Sequence, residues 1–270
     1  MLGRDVVRAA EYVNHEVVAL HRSELDVTDP DAVREAVEAE RPEVVVNCAA
    51  YTDVDGAESD LEAAMAVNAD GAGNVSAAAA AVDASVVYPS TDYVFDGEKG
   101  APYVESDAPA PRSAYGRSKL AGEEATARMN RCHFIVRTSW LFGVSGRNFV
   151  ETMLALASDL GEVVVVRDQV GGPTYTGHLA DAVVRLIDTE EYGIHHLAGA
   201  GECSWYDFAL EIFRQAGIEV RALSCTSDEF PRPAPRPAYS VLGSEREYGL
   251  YLPDWREGLA SYLAERTPAR

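Results

Sequence analysis

Ala84-Ser85-Val86-Val87-Tyr88 runs straight into Pro89-Ser90-Thr91-Asp92-Tyr93-Val94-Phe95, and further on stands Tyr115-Gly116-Arg117-Ser118-Lys119. The first stretch reads as an apolar strand that carries two hydroxyl residues, Ser90 and Thr91, to its carboxyl end. Lys, Leu, Ala and Glu favour a helix over residues 118–129. Tyr115 and Lys119, four positions apart, then project from one helical face. A phenol with an ordinary pKa of about 10 exchanges protons poorly near neutrality, and a nearby cation lowers that value by favouring phenolate. Lys119 is placed to supply the cation. Thr91 or Ser90 is placed to hydrogen-bond the carbonyl or alcohol on which Tyr115 acts.

Outward from this stretch, strands and helices alternate. Residues 4–12 read as a helix, 16–20 as a strand, 31–40 as a helix entered through Asp29-Pro30, 43–48 as a buried strand and 61–83 as an alanine-rich helical region. Beyond the helix, residues 134–137 read as a strand and Ser139-Trp140-Leu141-Phe142-Gly143 as the entry to a second lobe. There, helices are expected over 148–158, 176–188 and 204–216, with strands over 162–166 and 193–198. Ser204 as cap, with Asp207 in the first turn, supports the last of these helices. Short helices over 244–248 and 254–265 close the chain. The alternation predicts an α/β fold, a doubly wound, Rossmann-like parallel sheet with a smaller C-terminal substrate lobe. Residues 1–145 are expected to form the dinucleotide-binding domain and 146–270 the substrate domain, with part of 160–200 returning to the first.

Bulk properties narrow the class. A chain of 270 residues, 47% apolar, is ample for a sizeable core. No run of about 18 apolar residues occurs, and the first residues lack the apolar centre of a signal peptide, so a soluble cytoplasmic protein is expected. Cys48, Cys132, Cys203 and Cys225 lie far apart, which fits reduced thiols better than disulfides or zinc, and His195 and His196 read as strand neighbours facing opposite ways. No metal site is expected. The net charge is -21, a surface that repels nucleic-acid phosphates. It suggests halophilic adaptation, in which salt screens the excess carboxylates. Lys99 and Lys119 are the only lysines among 23 basic residues, which singles out Lys119.

The segments Val45-Val46-Asn47-Cys48-Ala49-Ala50-Tyr51-Thr52-Asp53-Val54-Asp55, 90–95, 115–123, Arg137-Thr138-Ser139-Trp140, Asp168-Gln169-Val170-Gly171-Gly172-Pro173-Thr174 and Leu252-Pro253-Asp254-Trp255-Arg256 follow one another in a family's order. They resemble the extended short-chain dehydrogenase/reductases, and most closely their dTDP-4-dehydrorhamnose reductase branch. That resemblance implies reduction of the 4-keto group of a nucleotide-linked 6-deoxy sugar, with Thr91, Tyr115 and Lys119 as the catalytic triad. It implies that Tyr115 protonates the new alkoxide, that Lys119 lowers the phenol's pKa and holds the nicotinamide ribose, and that Thr91 orients the ketone.

The same resemblance makes Met1-Leu2-Gly3-Arg4-Asp5-Val6-Val7 the tail of a Gly-x-x-Gly-x-x-Gly turn, with Gly3 its last glycine. The family's first strand and remaining glycines are expected upstream of Met1. Arg22, beside His21 after the second strand, favours NADPH over NADH, because arginine there accommodates the extra phosphate. Asp26 and Val27 resemble the adenine-side turn, Ala49 and Ala50 the small residues that admit the cofactor, and Asn68 a residue beside it. Thr52, Trp140 and Asn148 are expected to face substrate, and the prolines Pro231, Pro233, Pro235 and Pro237 to lead into the nucleotide-sugar site. A homodimer is compatible with the family. The residues leave two other readings open: a reductase or epimerase of another nucleotide sugar, and a non-catalytic module resembling the regulatory beta subunit of methionine adenosyltransferase.

Overall fold

The computed structural model describes residues 1–246 and 250–266. Strands β1 (Val44–Val46), β2 (Ser85–Thr91) and β3 (His133–Thr138) run parallel side by side. Strand β4 (Glu162–Val166) lies apart from them, and β5 (Gly193–His196) returns to pair with β3, giving the order β1-β2-β3-β5. Consecutive residues of β2 point to opposite faces and meet different helices. Val86 packs among Val33 and Val37 of α2 (Pro30–Glu40) and Val75 of α3 (Gly71–Ala81). Val87 packs among Leu2 and Val6 of α1 (Leu2–Tyr12) and Leu179 and Val183 of a later helix, Thr176–Ile187. Helices thus cover both faces, and the strand in the middle is a continuous apolar run because neither face meets water.

Between the sheet strands stands α4 (Ala114–Met129), followed by α5 (Phe149–Leu160), α6 (Thr176–Ile187), α7 (Trp205–Ala216) and α8 (Trp255–Glu265). Helices α5, α7 and α8 enclose a second core with β4, built from Phe142, Met153, Val163, Phe208, Ile212, Trp255 and Tyr262. Its strand β4 pairs in parallel with β6 (Arg221–Cys225). Local chemistry fixes the helix starts. Asp29 accepts from the amides of Asp31 and Ala32 ahead of Pro30, Asn148 accepts from Glu151 N, and Ser204 with Asp207 forms a reciprocal capping box. Among the described residues no helix is long and apolar enough to cross a membrane.

Two expectations are corrected, those for residues 16–20 and 244–248. Residues 16–20 form no strand, and Val18 and Leu20 stay 54% and 48% exposed, because no strand of the described residues lies beside them to complete a ladder. The helical region expected over 61–83 is present from Leu61 to Ala81, with a π turn, Ala66–Asp70, between helix Leu61–Met65 and α3. Of the helix expected over 244–248, residues 244–246 are irregular and 247–248 lie outside the described residues.

Candidate active site

Strand β2 ends at Thr91, and a short 3-10 turn, Asp92–Val94, caps it, with the Thr91 hydroxyl accepting from Tyr93 N. Helix α4 returns to this point. Ser113 caps it by accepting from Gly116 N at 3.0 Å, which fixes the start at Ala114 and puts Tyr115 in the first turn. Two glycines let α4 lie close. A Cβ on Gly116 would stand 2.2 Å from the Tyr93 carbonyl oxygen, and one on Gly122 would stand 2.1 Å from that of Asn68. Thr91, Tyr115 and Lys119 therefore meet: the Tyr115 ring sits edge-on to Tyr93 at 5.8 Å, and the Thr91 hydroxyl is near enough to act on its phenol. One turn along, the Lys119 ammonium donates to the Pro89 carbonyl at 2.7 Å and lies 4.0 Å over the Tyr88 ring.

Burial dominates the electrostatics. It pushes the Tyr115 phenol up to about 12, with the negative charge of Asp92 acting the same way and the Thr91 hydroxyl against both. It pulls Lys119 down to about 7, opposed first by the charge of Glu123. The lowering of the phenol expected from Lys119 is not what governs Tyr115 here, because the ammonium is turned to a backbone carbonyl of β2. Tyr115 accordingly holds its proton at neutral pH and is set up as a donor. Asp92, also buried, is raised to about 6 and accepts from Ser240 at 2.6 Å and from Thr91 at 3.1 Å.

At the carboxyl end of β1, the amino end of α1 approaches closely: a Cβ on Gly3 would stand 3.3 Å from Cys48 Cβ. Helix α1 has no side-chain cap, and the buried Asn47 side chain holds its Nδ2 donor without a partner. Ala49 and Ala50 follow, with Ala49 N donating to Asn47 Oδ1. Asn68, in the π turn, fastens this loop by accepting from Tyr51 N at 2.8 Å and donating to Tyr51 O at 3.1 Å. A third Asn68 bond, to Ser118 Oγ at 2.9 Å, ties the loop to α4. Uncapped helix amides, small residues and an unused amide donor fit a dinucleotide phosphate group. Arg22 stands exposed on the turn at 22–24, and its charge acts on Asp26, whose carboxylate also accepts from Thr28. Val27 is the neighbour whose carbonyl Asn74 holds at 3.0 Å.

Of the residues expected to face substrate, Thr52 is exposed in the loop after β1, and Trp140, with a left-handed φ of 47°, stacks on Trp205 at 3.5 Å. Asn148 stands differently. Its oxygen caps α5 and its nitrogen donates to Gly143 O, so both polar ends of the amide are already engaged. The proline-rich stretch is stapled to the loop after β1 through Asp55, which accepts from Arg232, Ala234 and both terminal nitrogens of Arg236. The bond with Arg236, before all other influences, holds the Asp55 carboxyl far below the usual range. Sequence reasoning missed Asp55, Asp92 and Glu123. Only Glu123 carried a local signal, as the next residue at helical spacing after Tyr115 and Lys119. No group of three or more His, Cys, Asp or Glu among the described residues could hold a metal ion.

A parallel sheet wound on both faces, with a strand-end threonine opposite a tyrosine and a lysine one helical turn apart, defines the class of the extended short-chain dehydrogenase/reductases. The RmlD substrate binding domain model matches residues 1–267. The chain is 42% identical to the Bacillus subtilis spore coat polysaccharide biosynthesis protein SpsK, over 99% of this chain and 95% of that one. It is 47% identical to the dTDP-4-dehydrorhamnose reductase of Mycolicibacterium smegmatis, over 98% of this chain and 82% of that one. A solved dTDP-4-dehydrorhamnose reductase from Bacillus anthracis, in complex with NADP, superposes with a TM-score of 0.96 at 40% identity, covering 98% and 95% of the two chains. The chain belongs to the dTDP-4-dehydrorhamnose reductase family.

Proposed function

We propose that the protein reduces the 4-keto group of dTDP-4-dehydro-L-rhamnose with NADPH, giving dTDP-L-rhamnose. The observation that carries this reading is the meeting of Thr91, Tyr115 and Lys119 at the end of β2, in a chain of this family. Bound NADPH supplies the hydride. Thr91, whose proton is given to Asp92 at 3.1 Å, would turn it to the ketone oxygen to align the substrate, and Tyr115, protonated at neutral pH, delivers its proton to that oxygen as negative charge develops there. Lys119 holds the nicotinamide ribose and places a positive charge behind the reacting atoms. Gly3, Ala49, Ala50 and Asn68 would cradle the cofactor, and Asp26 and Val27 would border its adenine. Thr52 and Trp140 would line the sugar side, while Asn148 would act there only through the backbone it caps. Residues 1–145 with α6 and β5 form the dinucleotide side in this reading, and the rest of 146–270 the sugar side around its own core. Turnover of the 4-keto sugar with NADPH, with the product identified by NMR, tests the whole reading.

Arg22 would choose the cofactor. An exposed guanidinium at this position pairs with a 2′-phosphate, whereas a carboxylate there would accept from a 2′-hydroxyl. Arg22→Asp should shift the NADPH/NADH ratio of kcat/KM toward NADH by about tenfold or more, the scale of one lost charge-assisted contact. An unchanged ratio removes Arg22 from the site. The charge of -21 further suggests a cytoplasmic enzyme of a salt-rich cell, in which cations screen the surface carboxylates. Its unfolding midpoint should then rise from dilute buffer to molar KCl, and a flat or falling midpoint would count against salt adaptation.

A further inference from the structure

The catalytic face of α4 does not stop at Lys119. Tyr115, Lys119 and Glu123 follow at four-residue spacing, and Glu123 is 3% exposed. Its carboxylate takes a bidentate pair from Arg137, with Nε at 2.9 Å and Nη2 at 2.7 Å, and a third bond from Ser90 Oγ at 2.5 Å. Arg137 is itself 1% exposed and lies beside Ser90 in the β2–β3 register. Ser90 follows Pro89, whose carbonyl receives the Lys119 ammonium. Lys119 and Glu123 therefore hold two consecutive residues of β2, Pro89 and Ser90. Behind the pair, Arg137 neighbours His196 in the sheet register and covers the Phe95 ring at 5.1 Å.

A buried ion pair of this kind contributes little net stability compared with apolar residues of similar size, because both charges lose their hydration. Its position beside a buried lysine gives it another use. We propose that Glu123, fixed by Arg137 and Ser90, is a positioning residue for Lys119: its negative charge, one helical turn away, keeps the buried ammonium charged and aligned with the end of β2. This rests on the functional reading above for what Lys119 does, but not for its link to Glu123. The groups facing Lys119 are few. Tyr115 and Glu123 stand on its own helix, Cys48 at the end of β1, Tyr88 on β2, Arg137 and His196 behind Glu123, and Asp92 beyond Tyr115. Glu123 is the largest charge acting to hold the ammonium proton, ahead of Cys48.

The test uses the scarcity of lysine. With Lys99 and Lys119 alone in the sequence, NMR of the full chain labelled at the lysine Cε carbon shows two signals, assigned by Lys99→Arg. Glu123→Gln keeps the shape of the side chain and removes its charge. The Lys119 signal should titrate at least about one pH unit lower than in the parent, a tenfold change in proton affinity, while that of Lys99, paired with Asp107 on the surface, stays in place. The alkaline limb of the kcat/KM profile should move down with it. Should Glu123→Gln fold poorly because Arg137 is left unpaired, Glu123→Gln with Arg137→Met removes both charges, and Lys119 should still titrate below the parent, by less than in the single variant because no uncompensated Arg137 cation is left beside it. A folded variant in which Lys119 titrates as in the parent overturns the proposal. A parent protein that reduces no 4-keto sugar would sink the functional reading and leave the titration to decide this one.

Discussion

Tyr115→Phe should lower kcat by about 10²- to 10⁴-fold, the usual contribution of a positioned general acid, with NADPH affinity nearly unchanged. The substitution keeps the ring edge-on to Tyr93 and removes only the hydroxyl. The phenol has no part in the fastening of the loop after β1, which Asn68 performs. A phenol raised to about 12 is protonated throughout the neutral range, which suits proton delivery to a developing alkoxide and leaves nothing to replace it when the hydroxyl is gone. Steady-state rates with a NADPH fluorescence titration check both halves. Turnover within about threefold of the parent, a barrier change of under 1 kcal/mol, would remove Tyr115 from the chemistry.

Lys119→Met should separate activity from stability. Loss of a preorganised charge beside the reacting oxygen is expected to lower kcat/KM by about 10²- to 10³-fold. Stability should move the other way. Burial pulls the lysine from 10.5 to about 7, so between those values the folded chain binds fewer protons than the unfolded one and stability rises with pH. Below pH 7 both forms are protonated and the whole penalty remains. At about 1.4 kcal/mol for each pH unit between the two values the ceiling is about 5 kcal/mol. The methionine variant, similar in length and free of charge, should therefore be several kcal/mol more stable near pH 6 and converge on the parent towards pH 10. Chemical unfolding at pH 6, 8 and 10 measures this. A variant less stable than the parent at pH 6 would contradict the account of a strained, buried ammonium.

Features settled within a few residues were legible in the sequence. Asp29-Pro30 and Ser204 cap helices through bonds to amides two or three residues away, and the spacing of Tyr115 and Lys119 needs only a helix to bring them to one face. Features settled by distant partners were not. Residues 16–20 have the composition of a strand, yet a strand exists only where a neighbour completes its ladder. The π turn at Ala66–Asp70 shows itself through what Asn68 reaches, Tyr51 and Ser118, neither of which is nearby in sequence. Strand β6 is defined by its pairing with β4, and its residues, Arg221-Ala222-Leu223-Ser224-Cys225, carry no clear alternation. The same limit governs the site. Asp92 is held by Ser240, Asp55 by Arg236 and Glu123 by Arg137, and none of these pairs is visible before the chain is folded. Asn148 shows the reverse, since the cap it provides was as local as any, yet the sequence alone did not show that the cap uses its amide.

The most direct measurement is made on the full chain with NADPH and dTDP-4-dehydro-L-rhamnose together, following NADPH absorbance and the sugar by proton NMR. The account predicts one NADPH oxidised for each dTDP-L-rhamnose formed, with both signals lost in Tyr115→Phe. A folded protein that binds NADPH and leaves the 4-keto sugar unreduced would contradict it.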